Sequence, residues 1–434
     1  MRAIRRPSIT WSRRRWLALG VVSLLAVAVI EFGSSPPAAT ARATAAASKC
    51  GVDVPVSPTS AAFKSLPPAV QKEYTYFPYP VTSTPWSTFK GKKPPWKIGY
   101  ISEPLFGSGG WLVHILAEVK ALAKQYEKMG LVSSLVTYVP PDPATATPAE
   151  QIAAIQKMVR EGVDAIMLEP LSTNTLNPAI DAAGKAGIPV ISVDNPLIGS
   201  KYGVFTYTDN NSPTYPQVLK LIGGKGNILI ARGVLGSGAE AFWYGQAKAA
   251  AARCPGIKVV GTINGNWDNA TVETGILSFL AAHPGVTING VLEMGGMAPG
   301  IFGAFLQHGT TVPAVNIEPC PTGVFSNWLA HKSTAKYIGA CFDGYQTAWT
   351  NWGIMLRILA GKGPKVNGIS IGLVGKLITS ANLSVYAKPG LDINAQDEPR
   401  GPINGYGSDK FLDQYFAKPG SPGRADTASN WKWG

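Results

Sequence analysis

Charged side chains are scarce in this sequence, and clustered metal ligands are missing. Asp, Glu, Lys and Arg make up 15% of the 434 residues and hydrophobic residues 45%, which is typical of a globular chain with an ample core. The histidines at 114, 283, 308 and 331 lack HxxxH spacing, and no cysteine pair has CxxC spacing. The sequence therefore argues against a zinc site, and we expect neither a metal nor another cofactor.

Catalytic and nucleotide-binding motifs are also missing. The chain has no GxSxG segment and no Ser-His-Asp pattern tied to predicted strand ends, which argues against a serine hydrolase. The segment GVLGSG (Gly233–Gly238) lies between a predicted strand and a predicted helix, as a phosphate-binding loop does. It lacks the required Lys, so we interpret it as a tight strand-to-helix turn.

The net charge of +13 does not indicate a nucleic-acid-binding protein. Much of it lies in residues 1–47, and the rest of the chain carries 32 basic and 25 acidic residues. These are spread along the sequence, and no helix-turn-helix precedes the predicted domains. We therefore expect a solvated basic surface and no nucleic-acid partner.

The N-terminus has the pattern of an export signal. Six arginines up to position 15 precede an uncharged run, Trp16–Ile30, and alanine-rich cleavage sites follow. The segment SRRRWL (Ser12–Leu17) fits a twin-arginine signal, although a plain Sec signal explains it equally well. Fifteen residues are short for an uncleaved membrane anchor, which needs about 20. Lipidation of Cys50 is a further alternative, but Ala47-Ser-Lys49 matches a lipobox poorly.

Export permits disulfide bonds among the four cysteines. Cys320 and Cys341 each follow a predicted strand, which makes them a candidate pair. Cys50 and Cys254 are then left either to pair or to stay free.

From Trp96 onward, apolar strands and amphipathic helices alternate, and the pattern restarts after residue 208. Two successive runs of βα units predict two doubly wound parallel-sheet lobes of the α/β class. Residues 48–95 are Pro-rich and aperiodic, and we expect a surface arm there. Strands are predicted at 97–102, 131–139, 163–168, 188–193, 204–208, 227–231, 258–263, 291–294, 315–317 and 337–340. The helices predicted between them include 148–160, 269–282 and 298–307.

Three further local predictions concern segment ends. A helix at 172–185 is expected to begin with Ser172 or Thr173 as its N-cap. Residues 369–378 are expected to form a strand pair around a Gly turn, and 383–386 a final short strand. The Gly- and Pro-rich residues 388–434 are predicted to be a surface tail.

Polar side chains follow the strand predicted at 188–193, which ends in Asp194-Asn195-Pro196. In an open parallel sheet, ligands bind outside the carboxyl ends of the strands. Asp194 is therefore a candidate ligand contact.

Four segments carry a family resemblance through their order and spacing: EGVDAIML (Glu161–Leu168), AGIPVISVDN (Ala186–Asn195), GNWD (Gly265–Asp268) ahead of AAHP (Ala281–Pro284), and ITSANLSVY (Ile378–Tyr386). Together they resemble the type I periplasmic binding proteins of the ribose-binding group, the solute-binding components of ABC sugar importers. The resemblance covers roughly residues 96–386. It implies two lobes joined by a three-segment hinge, with crossings near Thr208, Cys341 and Ser370, that close on a solute like a Venus flytrap.

The resemblance also implies a domain organisation and partners. We expect an extracytoplasmic monomer that takes up a small-molecule solute and docks on an ABC permease in the membrane. The expected segments are an export signal (1–47), an N-terminal arm (48–95), lobe 1 (96–208 with 342–370), lobe 2 (209–341 with 371–387) and a C-terminal extension (388–434).

Carried over residue by residue, the resemblance implies that Asp194 accepts hydrogen bonds from sugar hydroxyls and that Trp267 stacks on the sugar ring. Either Trp111 or His114 matches the aromatic residue after the first strand. Elsewhere the sequence departs from the family pattern. The departures are Asn195 and Phe242 where relatives carry Arg, Met294-Gly295 for the usual Asn-Asp pair with Glu293 just before it, Glu318 for Asp, and Ala340 for Gln.

These departures remove polar groups that pair with a free pentose, so we expect a partly apolar ligand such as a modified sugar, glycoside, nucleoside or cyclic acid or alcohol. Two other functions use the same residues. A sensor subunit that signals to a receptor kinase would use the same cleft. An exported glycosidase would use Glu293 and Glu318 as its acid and base.

Overall fold

Helices flank two separate parallel β-sheets in this protein, and each sheet is built from successive βα units. The computed structural model describes residues 50–52, 55–105, 110–141, 146–209, 211–341, 343–371, 377–398 and 408–423. The predicted export signal lies outside these residues. Within them, no helix has both the length and the apolar composition that a bilayer span requires.

The first sheet contains six strands and the second sheet five, all paired in parallel. The first sheet consists of β1 (Trp96–Ile101), β2 (Val132–Tyr138), β3 (Ala165–Leu168), β4 (Val190–Ser192), β5 (Val204–Tyr207) and β11 (Gly368–Ser370). The second consists of β6 (Lys225–Arg232), β7 (Gly256–Asn264), β8 (Gly290–Glu293), β9 (Ala314–Ile317) and β10 (Tyr337–Gly339).

The strand orders are β11-β5-β4-β3-β1-β2 and β10-β9-β8-β6-β7. In each sheet the second strand lies on one side of the first strand, and all later strands lie on its other side. Such a change of side opens a crevice at the carboxyl ends of the strands, where ligands of α/β proteins bind. The prediction of two doubly wound lobes is confirmed.

The larger helices fill the spaces on both faces of each sheet. The helices are α1 (Ala61–Lys64), α2 (Pro68–Gln71), α3 (Trp111–Lys128), α4 (Pro148–Arg160), α5 (Asn177–Lys185), α6 (Tyr215–Leu221), α7 (Gly238–Ala252), α8 (Asn269–Ala282), α9 (Ala298–Gln307), α10 (Thr322–Ala330), α11 (Gly344–Leu359) and α12 (Asp409–Leu412).

The described strands change sheet twice along the chain, from the first sheet to the second after β5 and back to the first after β10. Beyond β11, Ile378 forms a bridge with Gly339 at the edge of the second sheet. Residues 369–378 therefore do not form the predicted strand pair, because their two ends belong to different sheets. The residues 372–376 lie outside the described part, and the domain boundaries stay a prediction.

Two other local predictions are wrong. Helix α5 begins at Asn177 rather than at residue 172, because Ser172 Oγ accepts a hydrogen bond from Thr175 N (3.2 Å) and closes a separate turn. Leu383–Val385 is one turn of 3-10 helix, not a strand. In contrast, α4 spans the predicted residues and begins with a reciprocal capping box between Thr147 and Glu150.

The N-terminal arm is part of the core, and the prediction of a surface arm is wrong for its described residues. Tyr74, Phe77, Val81 and Trp86 are all buried. The Tyr74 hydroxyl donates a hydrogen bond to the carbonyl of Gly368 (2.7 Å), which is 294 positions away in the sequence. The ordered structure thus begins well before Trp96.

Both disulfides tie distant segments together. Cys50 is bonded to Cys254 at the end of α7, with Cα atoms 4.5 Å apart. The predicted candidate pair, Cys320 and Cys341, is also bonded, with a Cα separation of 4.8 Å. A thiol in a disulfide is not available for thioether formation, so the structure does not favour lipidation at Cys50.

The C-terminal extension also packs inward rather than lying on the surface as predicted. Leu412 and Tyr415 are fully buried, and the Tyr415 hydroxyl donates to Ser370 O at 2.6 Å. Further upstream, Thr322 N at the start of α10 donates to Asp397 O at 3.0 Å. The extension therefore contacts both lobes.

A buried arginine fixes the last part of the extension. Arg357 of α11 is fully buried and contacts Asp409 Oδ1 at 2.6 Å and Asp413 Oδ1 at 2.9 Å. We expect Arg357→Met to lower the free energy of unfolding by about 3 kcal/mol, because it leaves two partly buried carboxylates without their cation. Urea denaturation measures the loss. Lys410→Met, an exposed change on α12, is the control, and an equal effect of both changes would contradict the role of the ion pairs.

Candidate functional site

A cavity of about 890 Å³, counting its mouth, lies between the carboxyl ends of the two sheets. Both lobes contribute side chains to it. The first lobe contributes Glu103, Trp111, Asp194 and Asn195, and the second Trp243, Trp267, Met294 and Glu318.

Asp194 lies just beyond β4 and is held by the next strand. Its backbone has φ +49°, a left-handed conformation that Asp and Asn tolerate better than most residues. Thr208 N donates to its Oδ1 at 2.8 Å, and its own N–H donates to Thr206 Oγ1 at 2.9 Å. Burial raises the pKa of Asp194 well above its usual range, and the carboxylate of Asp209 adds to the effect. A ligand group that donates a hydrogen bond to this carboxyl would replace the water that burial removes.

Two more buried carboxyl groups line the cavity. Burial and the neighbouring Glu169 raise the pKa of Glu103 to about 8. Burial also raises the pKa of Glu318 well above its usual range, helped by the carboxylates of Glu293 and Asp194. Asp194 belongs to the first lobe and Glu318 to the second, so carboxyl groups of both lobes line one site.

Asn195 has an unused acceptor at the cavity wall. Its Nδ2 donates to Glu103 Oε1 at 3.4 Å, whereas its Oδ1 is buried and makes no hydrogen bond. A buried amide oxygen without a partner is destabilising, so a ligand donor at this position would be favourable.

Trp267 presents a fixed ring to the cavity. Its indole N–H donates to Met294 O at 2.8 Å, and its ring meets Trp243 edge-on with centroids 6.4 Å apart. Gly233 lies so close that a Cβ there would be 2.2 Å from the Trp267 ring. Glycine at this position therefore allows the ring to pack against the turn after β6, which is the turn of the GVLGSG segment.

Three residues predicted for the site have side chains directed elsewhere. His114 Nδ1 lies 2.9 Å from Glu398 Oε2, and the ring stacks on Tyr345. Phe242 packs against Tyr79, because its neighbour Trp243 occupies the cavity-facing side of α7.

Glu293, the third of these residues, lies beneath the cavity wall. Its carboxyl oxygens accept from Met297 N (3.2 Å) and Glu318 N (3.1 Å), so it connects the loops after β8 and β9. Burial raises the pKa of Glu293 to about 8. Of the two glutamates considered as a glycosidase pair, only Glu318 lines the cavity.

Several lining residues were not predicted from the sequence. Glu103 follows β1 as Asp194 follows β4, so the same strand-end rule could have identified it. Gln396 enters the cavity from the C-terminal extension, where no periodic pattern points to a site. No group of three or more potential metal ligands is close enough to hold an ion in the described part of the chain.

The sequence of residues 100–325, more than half of the 434-residue chain, matches the family described as Periplasmic binding protein domain. The chain belongs to this family. A xylitol-binding protein of Mycolicibacterium smegmatis is 27% identical over 179 residues, which are 40% of this chain and 51% of the relative. The aligned part thus spans about half the length of that relative.

Solved structures of other periplasmic binding proteins have the same fold. A solute-binding protein of an ABC transporter from Thermobispora bispora has a TM-score of 0.60 and 26% identity, over 68% of this chain and 92% of its own. A second, from Actinobacillus succinogenes with bound D-allose, has a TM-score of 0.56 and 21% identity, over 67% and 99% of the two chains. The family members named here are binding proteins rather than enzymes.

Proposed function

We propose that this periplasmic binding protein captures a sugar or sugar-like solute in the cavity and delivers it to an ABC importer in the membrane. The observation that carries the proposal is the position of Asp194 and Trp267 on opposite walls of one cavity. A carboxyl group accepts hydrogen bonds from hydroxyls, and an indole face suits the C–H face of a sugar ring. The protein acts outside the cytoplasm, as a monomer, and releases its solute chemically unchanged.

Thermal unfolding with a panel of solutes tests the proposal. Compounds bound by similar proteins form a reasonable first panel: xylitol, ribose, D-allose, D-arabinose and myo-inositol. A ligand present at 100 times its Kd adds about 2.7 kcal/mol to the free energy of unfolding.

The control in this experiment is the concentration dependence. Polyols stabilise many proteins at high concentration by exclusion from the surface, without binding a site. A specific solute gives a shift that saturates, and mass spectrometry recovers it unaltered. If no panel member or related glycoside gives a saturating shift, the proposal is wrong.

A further inference from the structure

The cavity wall is rich in carboxyl groups, although the whole chain has a net charge of +13. Glu103, Asp194 and Glu318 line it, and all three are more than nine-tenths buried. No Lys, Arg or His is among the described residues that line it. The nearby Arg232 is occupied, because it pairs with Glu240 at 2.5 Å and lies over the ring of Tyr244.

The polar groups at the wall also favour a ligand that donates hydrogen bonds. Asn195 Oδ1 is an acceptor without a partner, and the Asn195 side chain is more than nine-tenths buried. The indole N–H of Trp267 is already used by Met294 O. A bound solute thus finds acceptors and little competition from side-chain cations.

Three tryptophans, Trp111, Trp243 and Trp267, complete the wall. The face of an indole ring attracts a cation through its quadrupole, and the attraction is strongest where water is excluded. Carboxyl groups combined with indole faces are suited to an ammonium group.

We propose that the cavity selects a solute that carries a protonated amino group, such as an amino sugar or an amino polyol, over the matching neutral compound. This inference rests on the proposed solute-binding function and makes it more specific. A neutral polyol can donate its hydroxyl hydrogen bonds to the same carboxyl groups, but it gains no ion pair when they ionise.

The pH dependence of affinity separates these two cases. An ammonium group favours the ionised form of the wall carboxyls, so its binding releases protons wherever those groups are protonated in the empty protein. Because burial raises the pKa of Glu103 to about 8, affinity for an amine should increase between pH 5.5 and 7.5. The increase is at most about tenfold per pH unit for each proton released. The titratable groups that face the wall carboxyls are Tyr79, Tyr100, Glu169, Tyr207, Asp209, Tyr215, Glu293 and Glu398.

Calorimetric titration of matched pairs tests the inference. The pairs are D-glucosamine with D-glucose, and N-methyl-D-glucamine with D-sorbitol, each at pH 5.5, 6.5 and 7.5. We expect the amine of at least one pair to bind ten or more times tighter at pH 7.5, with the difference shrinking at pH 5.5. If neutral sugars or polyols bind and amines do not, the inference alone is wrong. If no neutral or amine compound binds, the proposed function is wrong as well.

The variant Glu103→Gln tests the role of charge. Glutamine keeps the size and the oxygen that accepts from Asn195, but removes the negative charge. Affinity for the amine should fall at least tenfold, while affinity for the neutral partner changes less than threefold. Glu318→Gln is the second variant, and Glu127→Gln, exposed on α3, is the matched control. If Glu103→Gln and Glu318→Gln each lower the affinity for the amine and for its neutral partner by the same factor, the inference is wrong.

Discussion

Asp194→Asn should lower the affinity for the solute about a hundredfold and leave the fold intact. Hydrogen bonds to a charged acceptor contribute about 1.5–3 kcal/mol each, and a hundredfold change corresponds to about 2.7 kcal/mol. Asparagine tolerates the left-handed backbone at this position and keeps the oxygen that accepts from Thr208. Calorimetry measures the affinity, and circular dichroism verifies the fold.

The mutation should also change the free energy of unfolding in a known direction. Burial disfavours the ionised Asp194 carboxyl, so the stability of the ligand-free protein falls as pH rises from the usual Asp pKa towards the raised one. Asparagine does not ionise, so Asp194→Asn should be at least as stable as the natural protein at pH 8. Asp194→Ala separates charge from geometry, since it also removes the Thr208 contact. Unchanged affinity in both variants would remove Asp194 from the binding site.

A chain that begins at Trp96 should not fold, whereas one that begins at Ser48 should. The arm buries Tyr74, Phe77, Val81 and Trp86, and each such side chain contributes about 1.5–3 kcal/mol. Their sum is comparable to the whole stability of a typical domain, about 5–15 kcal/mol. Circular dichroism and thermal unfolding of the two chains measure the difference.

Cys50→Ser with Cys254→Ser is the control for this deletion, because it retains the arm and removes only its covalent link. The bond closes a loop with a sequence separation of 204 residues. Its loss should lower the free energy of unfolding by about 2–5 kcal/mol without preventing folding. Cooperative unfolding of the Trp96 chain at the temperature of the Ser48 chain would show that the arm is dispensable.

The alternating βα pattern was predictable because strands and helices leave a local periodic signal. Helices α4, α8 and α9 have the predicted bounds. The arm and the extension could not be predicted in this way. Tyr74 and Tyr415 are buried by parts of the chain far away in sequence, and Pro-rich segments show no period.

The site residues that directly follow a strand were predictable from the sequence. The rule that identifies Asp194 applies equally to Glu103, which follows β1. Phe242 is predicted from its match to the family Arg, but the match gives no rotation angle on helix α7, where Trp243 faces the cavity instead. The sequence leaves Trp111 and His114 as alternatives. The contact that directs His114 elsewhere is with Glu398, which belongs to the C-terminal extension and gives no local signal.

The ring of Trp267 is held in place by the protein itself. Its hydrogen bond to Met294 and its contact with Gly233 fix one orientation without any contribution from a solute. Ordering a mobile side chain during association costs about 0.5–1.5 kcal/mol, and here that entropy is lost during folding instead. The aromatic wall is preorganised, so more of its attraction to the solute remains as affinity.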